Sequence, residues 1–286
     1  MYSLSGATRV LGIIGNPVRH SLSPAIQNAA IVACELDYIY VPFEVTPELL
    51  SVAVSGLRAL GVCGFNVTIP HKSAIVRYLD ELDESAVAAG AVNTVLLRDG
   101  LMTGYNTDGY GFVSSLAEGL NFVPGVDTIV VIGAGGAARG AVAALCCAGA
   151  ERIVVVNRSL DKAAQLAKEM NIRYPKTTVS VSLQDEVSED HLGTASLLVN
   201  TTSLGMNGER IDFVDLARLP MTAKVYDMVY SPAETILLRE ASSMGISVAN
   251  GLGMLAAQGE RAFTIWTGKT PPQGLMKRVL QGVCFP

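Results

Sequence analysis

The chain has 286 residues, enough for one large or two medium domains. Half of them are apolar, 16% are charged and the net charge is -5, which excludes a disordered chain and leaves no basic surface for nucleic acid. Five cysteines without a CxxC pair, and only three histidines, exclude a disulfide framework or a structural zinc site, so no metal is expected and a small molecule is the expected partner.

The opening "MYSLSGATRVLGIIG" lacks the plan of a signal peptide, and no run reaches the roughly 20 apolar residues of a membrane span. The expected location is cytoplasmic, with no membrane partner. Strand-like runs follow at residues 9–15, 38–45 and 63–69, separated by segments of helical length that start near Ser23 and Pro47. This alternation predicts a mostly parallel sheet with right-handed crossovers. "AVNTVLLRDGLMTGYN" then predicts two strands joined at Asp99-Gly100, which makes the sheet mixed. A second alternation begins after residue 127, with strands "TIVVIG", "RIVVVN", "TVSVSL", "SLLVNT" and "KVYDMVY". The tail is helical, and Met254, Leu255, Gln258, Ala262 and Ile265 share a face that suits either a terminal helix packed on its own neighbour or a helix returning to the first domain. The expected organisation is a substrate-binding and catalytic domain over 1–108, completed by 249–286, and a Rossmann-type dinucleotide-binding domain over 109–248.

"VVIGAGGAARGAV" carries the most explicit chemistry. Gly133, Gly135 and Ala138 match G-x-G-x-x-G/A between a strand and a helix. The first glycine permits a tight turn, the second lets a pyrophosphate approach, and the alanine allows close helix packing. The helix start offers unpaired N–H groups to the anion. An NAD site normally has an acid at the end of the second strand. Here that position reads Asn157-Arg158, and Lys162 follows one turn later. A guanidinium and an ammonium suit a 2'-phosphate, so NADP is favoured. Asp161 fits an ordinary role as a carboxylate at a helix start.

In the first domain, "HSLSP", "NVTIPHK", "AVNT" and "NTD" sit at or just beyond predicted strand ends, where ligands bind in α/β sheets. Their hydroxyls and amides, with one cation and one anion, suit a ligand bearing several hydroxyls and a carboxylate. Ser21 and Ser23 equally suit a helix N-cap before Pro24. Taken singly, Lys72 fits a solvated lysine and Asp108 a helix cap. Beside a nicotinamide they gain a task, because hydride removal from an alcohol must be accompanied by loss of its hydroxyl proton.

The motifs "SLS" (21–23), "NVTIPHK" (66–72), "AGAVNT" (89–94), "NTDGYGF" (106–112), "GAGGAARG" (133–140), "NRS" (157–159), "NTTSLGM" (200–206), "DMVYSP" (227–232) and "NGLGMLAAQG" (250–259) span nearly the whole chain. In this order the chain resembles the shikimate dehydrogenase family. The resemblance implies reversible NADP-linked reduction of 3-dehydroshikimate to shikimate, a step toward the aromatic amino acids. It implies that Ser21 and Ser23 hold the substrate carboxylate, and that Asn66, Thr68, Lys72, Asn93 and Asp108 meet the ring, with Lys72 and Asp108 catalytic. Tyr230 and Gln258 would close over the same ligand. The cofactor would lie against Gly133, Ala134, Gly135, Gly136, Ala137 and Ala138, then Asn157, Arg158, Ser159 and Lys162, with Thr201, Met228 and Gly251 nearer the nicotinamide.

Small departures accompany the likeness. Ser159 stands where a threonine is usual, Thr201 replaces a smaller alanine beside the nicotinamide, and His71 fills a variable site. A related alternative is a quinate or shikimate dehydrogenase with broader substrate or NAD use, and an alternative of another class is a non-catalytic NADP-binding sensor. No surface stripe identifies an interface, so monomer and homodimer are both compatible with the sequence.

Overall fold

The apolar alternation of residues 9–15 becomes the first strand of a sheet, β1 (Arg9–Gly15), in a computed structural model that describes residues 4–184 and 189–284. The chain forms two compact units, residues 1–111 with 256–286 and residues 112–255. The breaks therefore fall after 111 and 255, where 108 and 248 had been expected.

The first unit continues with α1 (Ser23–Ala33), β2 (Tyr38–Glu44), α2 (Leu50–Ala59), β3 (Gly64–Val67), β4 (Glu81–Leu82), α3 (Glu84–Ala89), β5 (Thr94–Arg98) and β6 (Leu101–Tyr105). Its strand order is β2-β1-β3-β5-β6-β4. Strands β1, β2 and β3 pair in parallel, whereas β5 runs antiparallel to both β3 and β6. The mixed sheet follows from the hairpin at Asp99 and Gly100, both of which take positive φ. The two-residue strand β4 was not foreseen; it is too short to show a period, and both its residues are exposed.

One face of this sheet packs Ile14, Phe65, Val67, Val95 and Met102 against Leu50, Val54 and Leu57 of α2. Gly64 and Asn66 alternate with Phe65 and Val67 and so point to the other side. There the helix α9 (Leu252–Thr267) lays Trp266 over Gly64, where a Cβ would come within 2.3 Å of the indole. The indole N–H donates to the Val95 carbonyl at 2.9 Å. Helix α10 (Leu275–Cys284) packs on α1, so the C-terminal helices do complete the first unit.

The second unit holds most of α4 (Asp108–Leu120), then β7 (Thr128–Ile132), α5 (Gly136–Cys147), β8 (Arg152–Asn157), α6 (Leu160–Arg173), β9 (Thr178–Leu183), α7 (Glu189–Gly193), β10 (Ala195–Asn200), β11 (Lys224–Asp227), α8 (Ile236–Ser243) and β12 (Ser247–Asn250). The strands pair in parallel in the order β12-β11-β10-β7-β8-β9. That is the Rossmann order, reversing between β7 and β10. Both faces are covered, so the strands read as continuous apolar runs. Ile129, Val131, Ile153 and Val155 enter one core with α5 and α6, while Val130, Ile132, Val154 and Val156 enter another with α8. Each such side chain contributes roughly 1.5–3 kcal/mol by burial, so one charge on β7 would disrupt a core.

Strand β12 was not foreseen. Four residues at a sheet edge, none fully buried, carry no apolar period, yet they pair with β11 and extend the second unit past residue 248. All five cysteines are free. Among the described residues, no helix is long and apolar enough to cross a membrane.

Candidate active site

The four polar clusters of the first unit meet at one edge of its sheet for a topological reason. Strands β1, β3 and β6 all end at that edge, and β5, which runs the opposite way, begins there. Asn66 on β3 consequently faces Thr94 at the start of β5, and Thr94 faces Tyr105 at the end of β6.

Lys72 Nζ and Asp108 Oδ2 lie 2.6 Å apart, with side chains 33% and 24% exposed. A partly exposed ion pair contributes only about 1 kcal/mol or less to stability, so folding is a poor reason for it. Asp108 opens α4, where the helix dipole favours an anion. The capping duty falls to Asn106, whose side-chain oxygen accepts from the Asp108 N–H at 3.0 Å. The carboxylate of Asp108 is thereby left to its side-chain partners. Its second oxygen accepts from Asn93 Nδ2 at 2.8 Å.

Asn93 cannot turn round, because its Oδ1 accepts from the Thr107 N–H at 2.8 Å and from the Thr94 hydroxyl at 2.9 Å. Thr94 Oγ1 in turn accepts from Asn66 Nδ2 at 3.0 Å, and Asn66 Oδ1 accepts from the Tyr40 hydroxyl at 2.7 Å. Burial pushes the Tyr40 phenol well above its ordinary range, which keeps it a neutral donor, and a hydrogen bond from Ser23 opposes that shift. The sequence Tyr40, Asn66, Thr94, Asn93 thus donates in one direction, into Asp108. Series of this kind polarise one another in a buried setting. Among the described residues the Lys72 ammonium has Asp108 as its sole partner, which leaves two N–H donors for a ligand.

The other expected residues of this unit are placed as follows. Ser21 Oγ accepts from the Ser23 N–H at 3.3 Å, while Leu22 takes the cap position of α1, so neither serine is a standard N-cap. Thr68 follows β3, half-buried, and its methyl fills the space that a Cβ on Gly15 would need. Gln258 is buried on α9, with its Oε1 at the limit of reach, 3.5 Å, from the Thr107 hydroxyl. His71 is buried beside Lys72 and its Nε2 donates to the Val45 carbonyl at 2.6 Å, which ties the loop to the end of β2.

In the second unit the Gly133 turn has the shape a dinucleotide needs. Gly133 takes φ +110, and a Cβ there would sit 2.6 Å from Thr201 Oγ1. A Cβ on Gly135 or Gly136 would meet nothing within 4 Å, so open space lies before the N-terminus of α5. Ala138 is fully buried in the core, as close helix packing requires, and Ala134 and Ala137 are the small residues between the glycines. The first turn of α5 holds no acid to repel a phosphate.

After β8, the Asn157 amide donates to the Ser159 carbonyl at 2.8 Å and shapes the turn. Arg158 and Lys162 are exposed, and among the described residues neither is held in an ion pair. Asp161 lies in the first turn of α6, as its ordinary role requires. Thr201 Oγ1 donates to the Ile132 carbonyl at 2.6 Å, and the Met228 N–H to the Asn200 carbonyl at 2.9 Å. Gly251 is required by packing, since a Cβ would lie 2.2 Å from the Met228 carbonyl oxygen. Tyr230 follows β11 and is half-buried.

Sequence reasoning missed several supporting groups. Tyr40 looked like one more apolar strand residue. Asn200, Asp227 and Thr235 form a buried set at the ends of β10 and β11, and although Asp227 stands within "DMVYSP" it received no role. Burial pushes the Asp227 carboxyl up from its ordinary value, against three hydrogen bonds that lower it. A lone acid closing an apolar strand run was the available signal.

Comparison with known proteins gives a consistent result. The chain matches the shikimate dehydrogenase substrate binding domain over residues 13–95, shikimate / quinate 5-dehydrogenase over 122–197 and the shikimate 5'-dehydrogenase C-terminal domain over 251–281. It is 53% identical to a shikimate dehydrogenase (NADP(+)) of Geobacter sp. (strain M21) over 279 residues, covering 97% of this chain and 96% of the relative. A crystal structure of a shikimate dehydrogenase in complex with NADP+ superposes with a TM-score of 0.91 at 40% identity, covering 99% of this chain and 98% of the other. The shikimate 5-dehydrogenase of Listeria monocytogenes, solved with shikimate and NAD, gives 0.93 at 34% identity, covering 98% and 99%. With its two-domain α/β architecture, its open Gly133 turn and likeness along nearly its whole length, the chain belongs to the shikimate dehydrogenase family of oxidoreductases.

Proposed function

We propose that this protein is an NADP-dependent shikimate dehydrogenase that reduces 3-dehydroshikimate to shikimate reversibly. The observation that carries the assignment is the 2.6 Å contact between Lys72 and Asp108, with Asn93 fixed against the same carboxylate. When bound, the nicotinamide supplies the hydride in one direction and takes it in the other. Lys72 gives a proton to the substrate's carbonyl oxygen during reduction and receives the hydroxyl proton during oxidation. Asp108 orients the ammonium and accepts from a neighbouring ring hydroxyl.

Ser21 and Ser23 hold the substrate carboxylate, and Asn66, Thr68, Asn93, Tyr230 and Gln258 complete its hydroxyl contacts. Positioning by these neutral groups supplies much of the rate. Residues 133–138 would hold the cofactor's pyrophosphate, Asn157, Arg158, Ser159 and Lys162 its 2'-phosphate, and Thr201, Met228 and Gly251 would border its nicotinamide. The exposed guanidinium of Arg158, which has no ion-pair partner among the described residues, supports NADP over NAD.

Initial rates with shikimate and quinate, each with NADP and NAD, test the assignment. The highest kcat/KM is expected for shikimate with NADP. Arg158→Ala should lower the NADP preference about 10- to 100-fold, the value of charged hydrogen bonds to a phosphate. A higher kcat/KM for quinate with NAD would overturn the assignment.

A further inference from the structure

Asp227 closes β11 with a fully buried side chain, and the proton chemistry above makes no use of it. One of its oxygens accepts from Asn200 Nδ2 at 2.9 Å and from the Val229 N–H at 3.0 Å; the other accepts from the Thr235 hydroxyl at 2.7 Å. A buried carboxylate is costly unless it is paired or well hydrogen-bonded, and among the described residues no cation is paired with this one. Three donors on two oxygens hold it instead.

Each partner extends the reach of the group. Asn200, also fully buried, ends β10, the neighbouring strand. Its Oδ1 accepts from the N–H and the hydroxyl of Thr202 at 3.0 and 2.7 Å, and its Nδ2 also donates to the Leu204 carbonyl at 3.0 Å. Thr235 caps α8, where its hydroxyl oxygen accepts from the Leu238 N–H. One buried anion therefore joins the loop leaving β10, the loop leaving β11 and the start of α8.

The loop leaving β10 abuts the Gly133 turn at Thr201 and Thr202, and the loop leaving β11 starts one strand further from that turn. The strand order reverses between β7 and β10. In a sheet of this order a dinucleotide lies across the reversal, with one half over each set of strands. Arg158 follows β8 and claims the adenosine half for the β7–β8 side. The ends of β10 and β11 are left to the nicotinamide half.

We propose that Asp227 is a positioning residue, whose carboxylate sets the two loops that seat the nicotinamide half of the cofactor. The proposal rests on the assignment of this unit to NADP binding. It is tested by titrating the wild-type protein and the Asp227→Asn, Asp227→Ala and Thr235→Val variants with NADPH and, separately, with adenosine 2',5'-bisphosphate, which has the phosphorylated ribose but no nicotinamide.

The Asp227→Ala change strands three buried donors, so its NADPH dissociation constant should rise roughly tenfold or more. Its affinity for the adenosine fragment should stay within about twofold, because Arg158, which holds the ribose phosphate, follows β8, two strands away from β10. Asp227→Asn keeps the shape and should recover part of the loss, while Thr235→Val removes one donor and should give a smaller shift in NADPH alone. Should Asp227→Ala not fold, the other two variants carry the same test. Equal weakening of both ligands would reduce Asp227 to a residue that holds the domain together and overturn the proposal, as would NADPH binding that no variant changes. Failure of the wild-type protein to bind either ligand would instead overturn the NADP assignment, and this proposal with it.

Discussion

At the strand ends of the first unit, four side chains donate in series toward Asp108, whereas at the Gly133 turn of the second unit the chain presents backbone N–H groups and empty space. One site is made by adding groups and the other by leaving them out. On the proposed function, the difference reflects what each would hold. A small polyhydroxylated acid needs a donor or acceptor at a fixed point for each group it carries. A pyrophosphate needs close approach to a helix start, which any side chain would block. The added groups must also be kept from turning, and this is why the ring of support extends inward to a buried phenol. The glycine turn needs no such support beyond the strand and helix it joins.

The contrast is broken most forcefully at the Lys72–Asp108 pair. Lys72→Ala and Asp108→Asn should each lower kcat by about 10²–10⁴, the usual contribution of a placed proton donor or its partner. Thermal melting should move little, because a partly exposed pair adds about 1 kcal/mol or less. Full turnover in either variant would remove that residue from the mechanism. The second unit should respond in binding instead. Gly133→Ala forces a side chain into φ +110 and against Thr201 Oγ1. A strain of roughly 1–3 kcal/mol predicts an NADPH dissociation constant about 5- to 150-fold higher, read by fluorescence titration. An unchanged constant would show that the turn relaxes freely.

The smallest expected effect tests whether the donor series acts beyond its ends. Tyr40→Phe leaves Asn66 Oδ1 without its phenolic donor in a buried place. Unfolding in denaturant should show a loss of about 1–3 kcal/mol, with kcat lower by only a few-fold. A loss of turnover as large as that of Lys72→Ala would mean that the series sets the charge of Asp108 and not merely its position.

The two sites also differed in how plainly the chain displayed them. The glycine turn is contiguous, and its spacing between an apolar strand and a helix carries its meaning on the page. β1 was legible to its last residue because its apolar run ends at a turn-forming Asn-Pro. Asn66, Asn93 and Asp108 were legible as polar breaks at strand ends, but their convergence was not, since it depends on β5 running antiparallel between β3 and β6. Tyr40 and Asp227 were hidden for a further reason. Each sits in an apolar strand, and only the partner across the sheet shows that its polar end is used. β12 escaped because an edge strand of four half-exposed residues has no period to read, and the unit boundary was drawn early as a result.

Trp266 gives the first unit a problem of timing. The indole covers Gly64 and bonds to Val95, yet it is made long after them, once residues 112–255 have been translated. At about 5–20 residues per second that interval lasts roughly 7 to 30 seconds. Throughout it the sheet has α1 but lacks Trp266 over Gly64, and the residues of the later-made unit are completed first. The early half of the polypeptide therefore waits for helix α9 before Gly64 and Val95 gain their indole cover.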